Sequence, residues 1–203
     1  MNQKTSSKDA ILAAAGSVVR EQGAAHLTLD AVSAKAQISK GGLLYHFPTK
    51  EALLLGMVLR LIELVECRKK TEEVALSDTP GKGLKAYVKA MTAMGDPRVR
   101  SVLPALLAAG AQDPKLLEAA RESRAKASEE FCKGGLSKEF AAVISLALEG
   151  LWILEALGAS RRTPEEQQAI TDELLSLVSR EEAWLMALRR DASPQEDHGQ
   201  PGN

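Results

Sequence analysis

The side chains best suited to gripping another molecule are crowded into one stretch. Lys40, Tyr45, His46 and Lys50 lie within two turns of the Gly41-Gly42 pair, and each can bond a phosphate oxygen. Two glycines in the first turn of a helix cost about 1 kcal/mol each against alanine, unless the backbone must approach another surface closely. The chemistry this spacing offers is anion grip. Catalytic groupings do not emerge: His26, His46 and His198 are scattered without a zinc-site spacing, and Gly81-Lys82-Gly83 lacks the phosphate-loop pattern. No enzyme activity, metal or cofactor is expected.

The elements that must position those groups can be read from Thr28 to Glu51. Thr28 is a good N-cap, Asp30 sits where the helix dipole favours an anion, and Leu27 and Val32 can close as a hydrophobic staple. Gln37 and Ile38 make a turn, Ser39 caps a second short helix, and Thr49 caps a third with Glu51 in its first turn. This is a helix–turn–helix, which presents the N-terminal residues of its second helix to base edges in the major groove.

The run TLDAVSAKAQISKGGLLYHFPTKEALL closely resembles the DNA-binding segment of TetR-type transcriptional regulators, and the likeness extends from Asp9 to Val58. Family members carry a threonine at the first cap, a small-residue helix, a "valine-serine-lysine-glycine-threonine-leucine-tyrosine-x-histidine-phenylalanine" run and a "serine-lysine-glutamate-alanine-leucine" helix start. Three positions depart from that pattern: Gln37 replaces the turn glycine, Gly42 a threonine and Leu44 an aromatic residue. The resemblance implies DNA contacts from Thr28, Ser39, Lys40, Gly41, Gly42, Leu44, Tyr45, His46, Thr49 and Lys50. Lys40 and Leu44 would face base edges, Leu44 with an apolar contact such as a thymine methyl.

Composition agrees with a helical DNA binder. Of the 203 residues, 45% are hydrophobic, 26% charged and only 3% aromatic, which favours an all-α protein over a sheet. The net charge of −1 conceals +3 in residues 1–50 and −4 in the remainder, a basic module on an acidic body. Cys67 and Cys132 stand apart without CxxC spacing and are expected to be structural in a reducing compartment. The N-terminus is polar, and the apolar run Val143–Leu157 is broken by Glu149 and Glu155. A soluble, cytoplasmic protein without a membrane segment is expected.

Apolar spacing and caps predict about nine helices. A basic arm (1–8) precedes a first helix from Asp9 to Gly23, and the helix from Thr49 runs to about Ala75. Others follow near 80–94, 97–109, 113–132, 137–158 and 163–190, several opening on proline after a cap. Pro104 should kink or break the second of these. Arg68-Lys69-Lys70 reads as a solvated face. The predicted domains are 1–50 for DNA binding, 51–190 for ligand binding and dimerisation, and 191–203 as a disordered tail.

Tyr87, Met91, Met94, Leu103, Leu106, Leu107, Leu148 and Trp152 are either plain core or the lining of a small-molecule cavity, with Ser145 and Glu149 one turn apart beside them. Glu149 is either the polar anchor of that cavity, suited to a cationic ligand, or, the favoured reading, a rim glutamate at a subunit edge. The last two helices are apolar enough to form a four-helix interface between subunits, as the TetR resemblance implies. Phe140, Ile144, Leu151 and Leu154 on one, and Ile170, Leu174, Leu177, Val178 and Leu185 on the other, are the candidate seam. The reading is a homodimeric repressor released from a palindromic operator by an unidentified, largely apolar small molecule. Its rivals are a DNA-binding regulator without a ligand, and a helical scaffold or ligand-binding protein that does not use DNA.

Overall fold

The computed structural model describes residues 7–93, 103–160 and 162–191. Among them are nine α-helices and no strand: α1 Ser7–Gln22, α2 Leu29–Ala36, α3 Lys40–His46, α4 Lys50–Val74, α5 Lys82–Ala93, α6 Leu103–Gln112, α7 Glu118–Cys132, α8 Lys138–Ala156 and α9 Pro164–Asp191. Short 3-10 turns cover Ala24–His26 and Pro114–Leu117. The all-α class is as the sequence predicts. The first six residues, the Asp96-Pro97 helix start, Met94 and the tail beyond Asp191 lie outside the described residues.

Most helix starts carry the caps expected of them. Backbone amides of Ala31, Gly42, Ala52 and Phe140 donate to the hydroxyls of Thr28, Ser39, Thr49 and Ser137, each at 3.1 Å. At α9 the box closes both ways, Thr163 N donating to Glu166 Oε2 at 2.8 Å and Glu166 N to Thr163 Oγ1 at 3.3 Å. Three starts differ from expectation, among them α5, which begins at Lys82 with Pro80 in the turn before it. Pro104 stands in the first turn of α6, where its missing amide costs nothing. The helix predicted from 113 begins as the 3-10 turn, held by Lys115 N donating to Asp113 Oδ1 at 3.0 Å.

Two apolar clusters hold the chain together. The first joins Ile11, Ala15 and Val18 of α1, Val32, Leu43 and Phe47 to Leu53, Leu54, Met57 and Val58 of α4, and also takes in Ala105, Leu106 and Leu116 from beyond residue 100. Helix α4 reaches into this cluster through Gly56, where a Cβ would stand 2.5 Å from the buried Phe47 ring. Gly56→Ala should therefore cost about 2 kcal/mol by overpacking, measured as a drop in thermal midpoint.

The second cluster joins α5, α7, α8 and α9 around Leu84, Val88, Phe131, Ile144, Leu148, Leu174 and Val178. This corrects part of the expected subunit seam. Ile144, Leu174 and Val178 are 1%, 7% and 0% exposed within the protomer's own core, so they are not available to a partner. Phe140, Leu151, Ile170, Leu177 and Leu185 are half-buried flanks. Helix α8 does present an apolar stripe to the outside, made of Val143, Leu146, Ile153 and Leu154, and α9 adds Trp184 and Leu188.

Candidate functional site

The helix–turn–helix lays most of the residues expected to contact DNA on one open face. Leu43 and Phe47 of the α3 segment point inward and are buried, which turns Ser39, Lys40, Gly41, Gly42, Leu44 and Tyr45 outward. Thr28, Thr49 and Lys50 are exposed as well, while His46 is half-buried with its ring edge-on to Tyr45 at 5.1 Å. Tyr45 is 85% exposed. A Cβ on Gly41 would meet no atom within 4 Å, so nothing inside the protein requires glycine there. One contact escaped sequence reasoning: Lys40 Nζ lies 2.7 Å from Asp30 Oδ1, an exposed pair joining the first turns of α2 and α3.

A cavity of about 360 Å³ opens between α4, α5, α6, α7 and α8. Tyr87, Met91, Leu103, Leu107, Ser145, Glu149 and Trp152 line it. Leu106 and Leu148 do not. Leu106 turns from α6 into the DNA-binding core, and Leu148 sits in the second core beside a smaller void.

Glu149 belongs to the cavity wall, with its side chain 19% exposed. Its carboxylate is 2.7 Å from Arg124 Nη2 and accepts from Tyr87 Oη at 3.3 Å. Burial pushes the Glu149 carboxyl up, against the pull of Arg124 and the Tyr87 hydrogen bond. Burial, then the charge and hydrogen bond of Glu149, push the Tyr87 phenol up as well.

Glu66, also in the wall, is 3.7 Å from Lys69 Nζ. That lysine corrects the solvated-face reading: it is 3% exposed, with Nζ 2.6 Å from Glu130 Oε2 on α7. Burial works against its charge, but the Glu130 hydrogen bond and the surrounding carboxylates outweigh it and hold its pKa above the ordinary lysine value. Cys67 is exposed and not structural burial. Among the described residues no cluster of His, Cys, Asp and Glu could hold a metal ion, and no described helix is long and apolar enough to cross a membrane.

Two family models match the chain. Residues 11–57 match the bacterial regulatory proteins of the tetR family, and residues 81–179 the tetracyclin repressor-like C-terminal domain. The chain belongs to the TetR family. It is thus a DNA-binding transcriptional regulator with an N-terminal helix–turn–helix and a helical C-terminal domain.

Solved structures repeat this TetR architecture. A transcriptional regulator from Rhodococcus sp. Rha1 superposes with TM-score 0.71 at 21% identity, covering 86% of this chain and 97% of that one. A TetR family member from Streptomyces coelicolor A3 gives 0.63 at 22%, covering 83% and 97%. The multidrug binding protein EbrR complexed with ethidium gives 0.60 at 20%, covering 85% and 99%. None of the curated proteins compared matches. Against the TetR pattern, Gln37 takes the left-handed conformation (φ 55°, ψ 41°) usually left to glycine. It is the only non-glycine residue with positive φ among those described.

Proposed function

We propose that this TetR-family regulator is a cytoplasmic homodimeric repressor whose C-terminal cavity takes a small, largely apolar effector that releases it from a palindromic operator. The observation that carries this reading is the double duty of α4. Leu53, Leu54, Met57 and Val58 lie in the core that supports the DNA-reading face, and Leu61, Ile62, Val65 and Glu66 of the same helix line the cavity. A ligand that fits only one tilt of α4 biases the separation of the two recognition helices, which must match half-sites about 34–36 Å apart. EbrR, which superposes on this chain, holds ethidium, and that supports a small-molecule effector here.

The test is a mobility shift on the DNA upstream of the gene, across a salt series, with and without a ligand found by thermal-shift screening. Protection of a palindrome with log affinity falling steeply in log salt supports the operator reading. A ligand that binds yet leaves operator affinity unchanged overturns the switch. Within the face, Lys50→Ala and Tyr45→Phe should weaken all sequences alike, Lys50→Ala lowering the salt slope by about 1, whereas Lys40→Ala should also alter base preference. A uniform loss for Lys40→Ala makes it a phosphate contact.

The exposed stripe on α8 and the neighbouring Trp184 and Leu188 are proposed as the subunit seam, with Leu154 the one member of the sequence-predicted set fully on it. Placing charges there through Val143→Glu with Leu154→Glu should convert the dimer to monomer in sedimentation velocity and reduce operator affinity at least about tenfold. An unchanged dimer would move the seam elsewhere.

A further inference from the structure

Beside the main cavity lies a second void of about 50 Å³, and Met91 and Trp152 belong to both walls. Its polar groups are unevenly served. Thr92 Oγ1 donates to Val88 O at 2.8 Å, Thr171 Oγ1 to Gln167 O at 2.9 Å, and Gln167 Nε2 to Glu155 Oε1 at 2.7 Å. Among the described residues, two buried donors find no hydrogen-bond partner, the Trp152 indole Nε1 and Arg162 Nη1. Arg162 Nη1 lies 3.9 Å from Glu155 Oε1, too long for a hydrogen bond. Both residues line the small void. Its missing partner is therefore an acceptor, and about 50 Å³ has room for an oxygen-bearing end group but not for a whole effector.

Charge narrows the class further. Each carboxylate in either wall stands beside a cation: Glu149 by Arg124 at 2.7 Å, Glu66 by Lys69 at 3.7 Å and Glu155 by Arg162 at 3.9 Å. A cationic ligand would have to separate Arg124 from Glu149. An anionic one would bring a charge next to Glu155 as well as to Arg162. A neutral acceptor does neither.

We propose, resting on the reading of the main cavity as the effector site, that the effector is an uncharged molecule with an apolar body and a terminal carbonyl. The body fills the main cavity, and the carbonyl oxygen passes Met91 and Trp152 to accept from Trp152 Nε1 and Arg162 Nη1. Methionine, with its three rotatable bonds, is suited to yielding at that shared wall. This replaces the cationic ligand suggested by Glu149 alone.

The test compares decan-2-one, decanoate and decylamine by calorimetry on the full chain, with the Trp152→Phe and Arg162→Gln variants checked for unchanged thermal unfolding. The ketone is expected to bind about tenfold more tightly than either charged probe. Trp152→Phe, which keeps the ring and removes the donor, should weaken the ketone about five- to tenfold and the others less than about twofold. The Trp152 indole proton should move downfield with the ketone alone. Should Trp152→Phe fold poorly, the same loss in Arg162→Gln carries the test. Tighter binding of either charged probe, or ketone affinity indifferent to both substitutions, overturns the acceptor site while leaving the cavity a ligand site. If none of the three probes binds, the cavity reading falls with it.

Discussion

Glu182→Ala lowers the unfolding free energy by about 3–5 kcal/mol, the usual cost of removing one partner of a buried ion pair, and shifts the urea midpoint with little change in slope. The reason is what this carboxylate collects. From α9, with a side chain 7% exposed, it accepts from Thr79 Oγ1 at 2.5 Å, from Gly81 N at 2.8 Å and from Lys85 Nζ. Alanine strands a lysine that is itself only 18% exposed, together with a hydroxyl and an amide. No larger residue fits opposite, because a Cβ on Gly81 would come within 2.7 Å of both Glu182 and Val178. Glu182→Gln keeps an acceptor but loses the charge, and should fall between the two.

The same group makes a pH prediction. Burial pushes the Glu182 carboxyl up, but the bonds from Lys85, Thr79 and Gly81 and the lysine charge bring it below the ordinary carboxylate value. A carboxyl whose folded pKa is depressed contributes stability above its unfolded pKa, near 4.3, and loses it as pH falls through the lowered folded value. The wild-type advantage over Glu182→Gln should thus be full at pH 6 and above and shrink below about pH 4, as measured by urea midpoints across that range. A gap that persists at low pH would falsify the assignment of this carboxylate as ionised in the fold.

Gly41→Ala should move stability and DNA binding in opposite directions. The site is helical and empty around the missing Cβ, so alanine removes backbone entropy from the unfolded chain and gains about 0.5–1 kcal/mol. If the α3 backbone lies against a phosphate or base edge, even one methyl group holds it off. Operator affinity should fall about tenfold for alanine and about a hundredfold for leucine, in line with 1–3 kcal/mol per disrupted contact. Gly42 cannot serve for this comparison, since a Cβ there stands 3.2 Å from Ser39 Oγ and disturbs the cap. An alanine variant that is more stable and binds as well as wild type would detach Gly41 from the interface.

What could be read in advance follows the range of the interactions. Caps at Thr28, Ser39, Thr49, Ser137 and Thr163 join residues three positions apart, so a sequence window contains both partners. Lys69 and Glu130 are 61 positions apart and Glu182 and Thr79 are 103, and no local signal distinguishes these buried charges from solvated ones. The apolar helices failed in another way. Helix α8 is apolar around most of its girth, so periodicity shows a core face without saying whether Ile144 or Val143 occupies it; the fold puts Ile144 inside and leaves Val143 63% exposed. The apolar residues of the middle helices could be grouped from sequence, but not told apart as core or cavity lining, and α6 splits that group by turning Leu106 away from Leu103 and Leu107.

The mixed membership of the first apolar cluster bears on protein engineering. Ala105, Leu106 and Leu116 complete a core otherwise built from α1 to α4. A chimera that transplants the reading head of this chain onto a relative's body at residue 50 would sever Leu53–Val58 from their partners and leave the recipient's α6 surface mismatched. Grafts should instead join within α4 beyond Val58 and carry matched residues at 105, 106 and 116. Modularity in this molecule follows the packing, and the practical seam for recombination lies inside a helix.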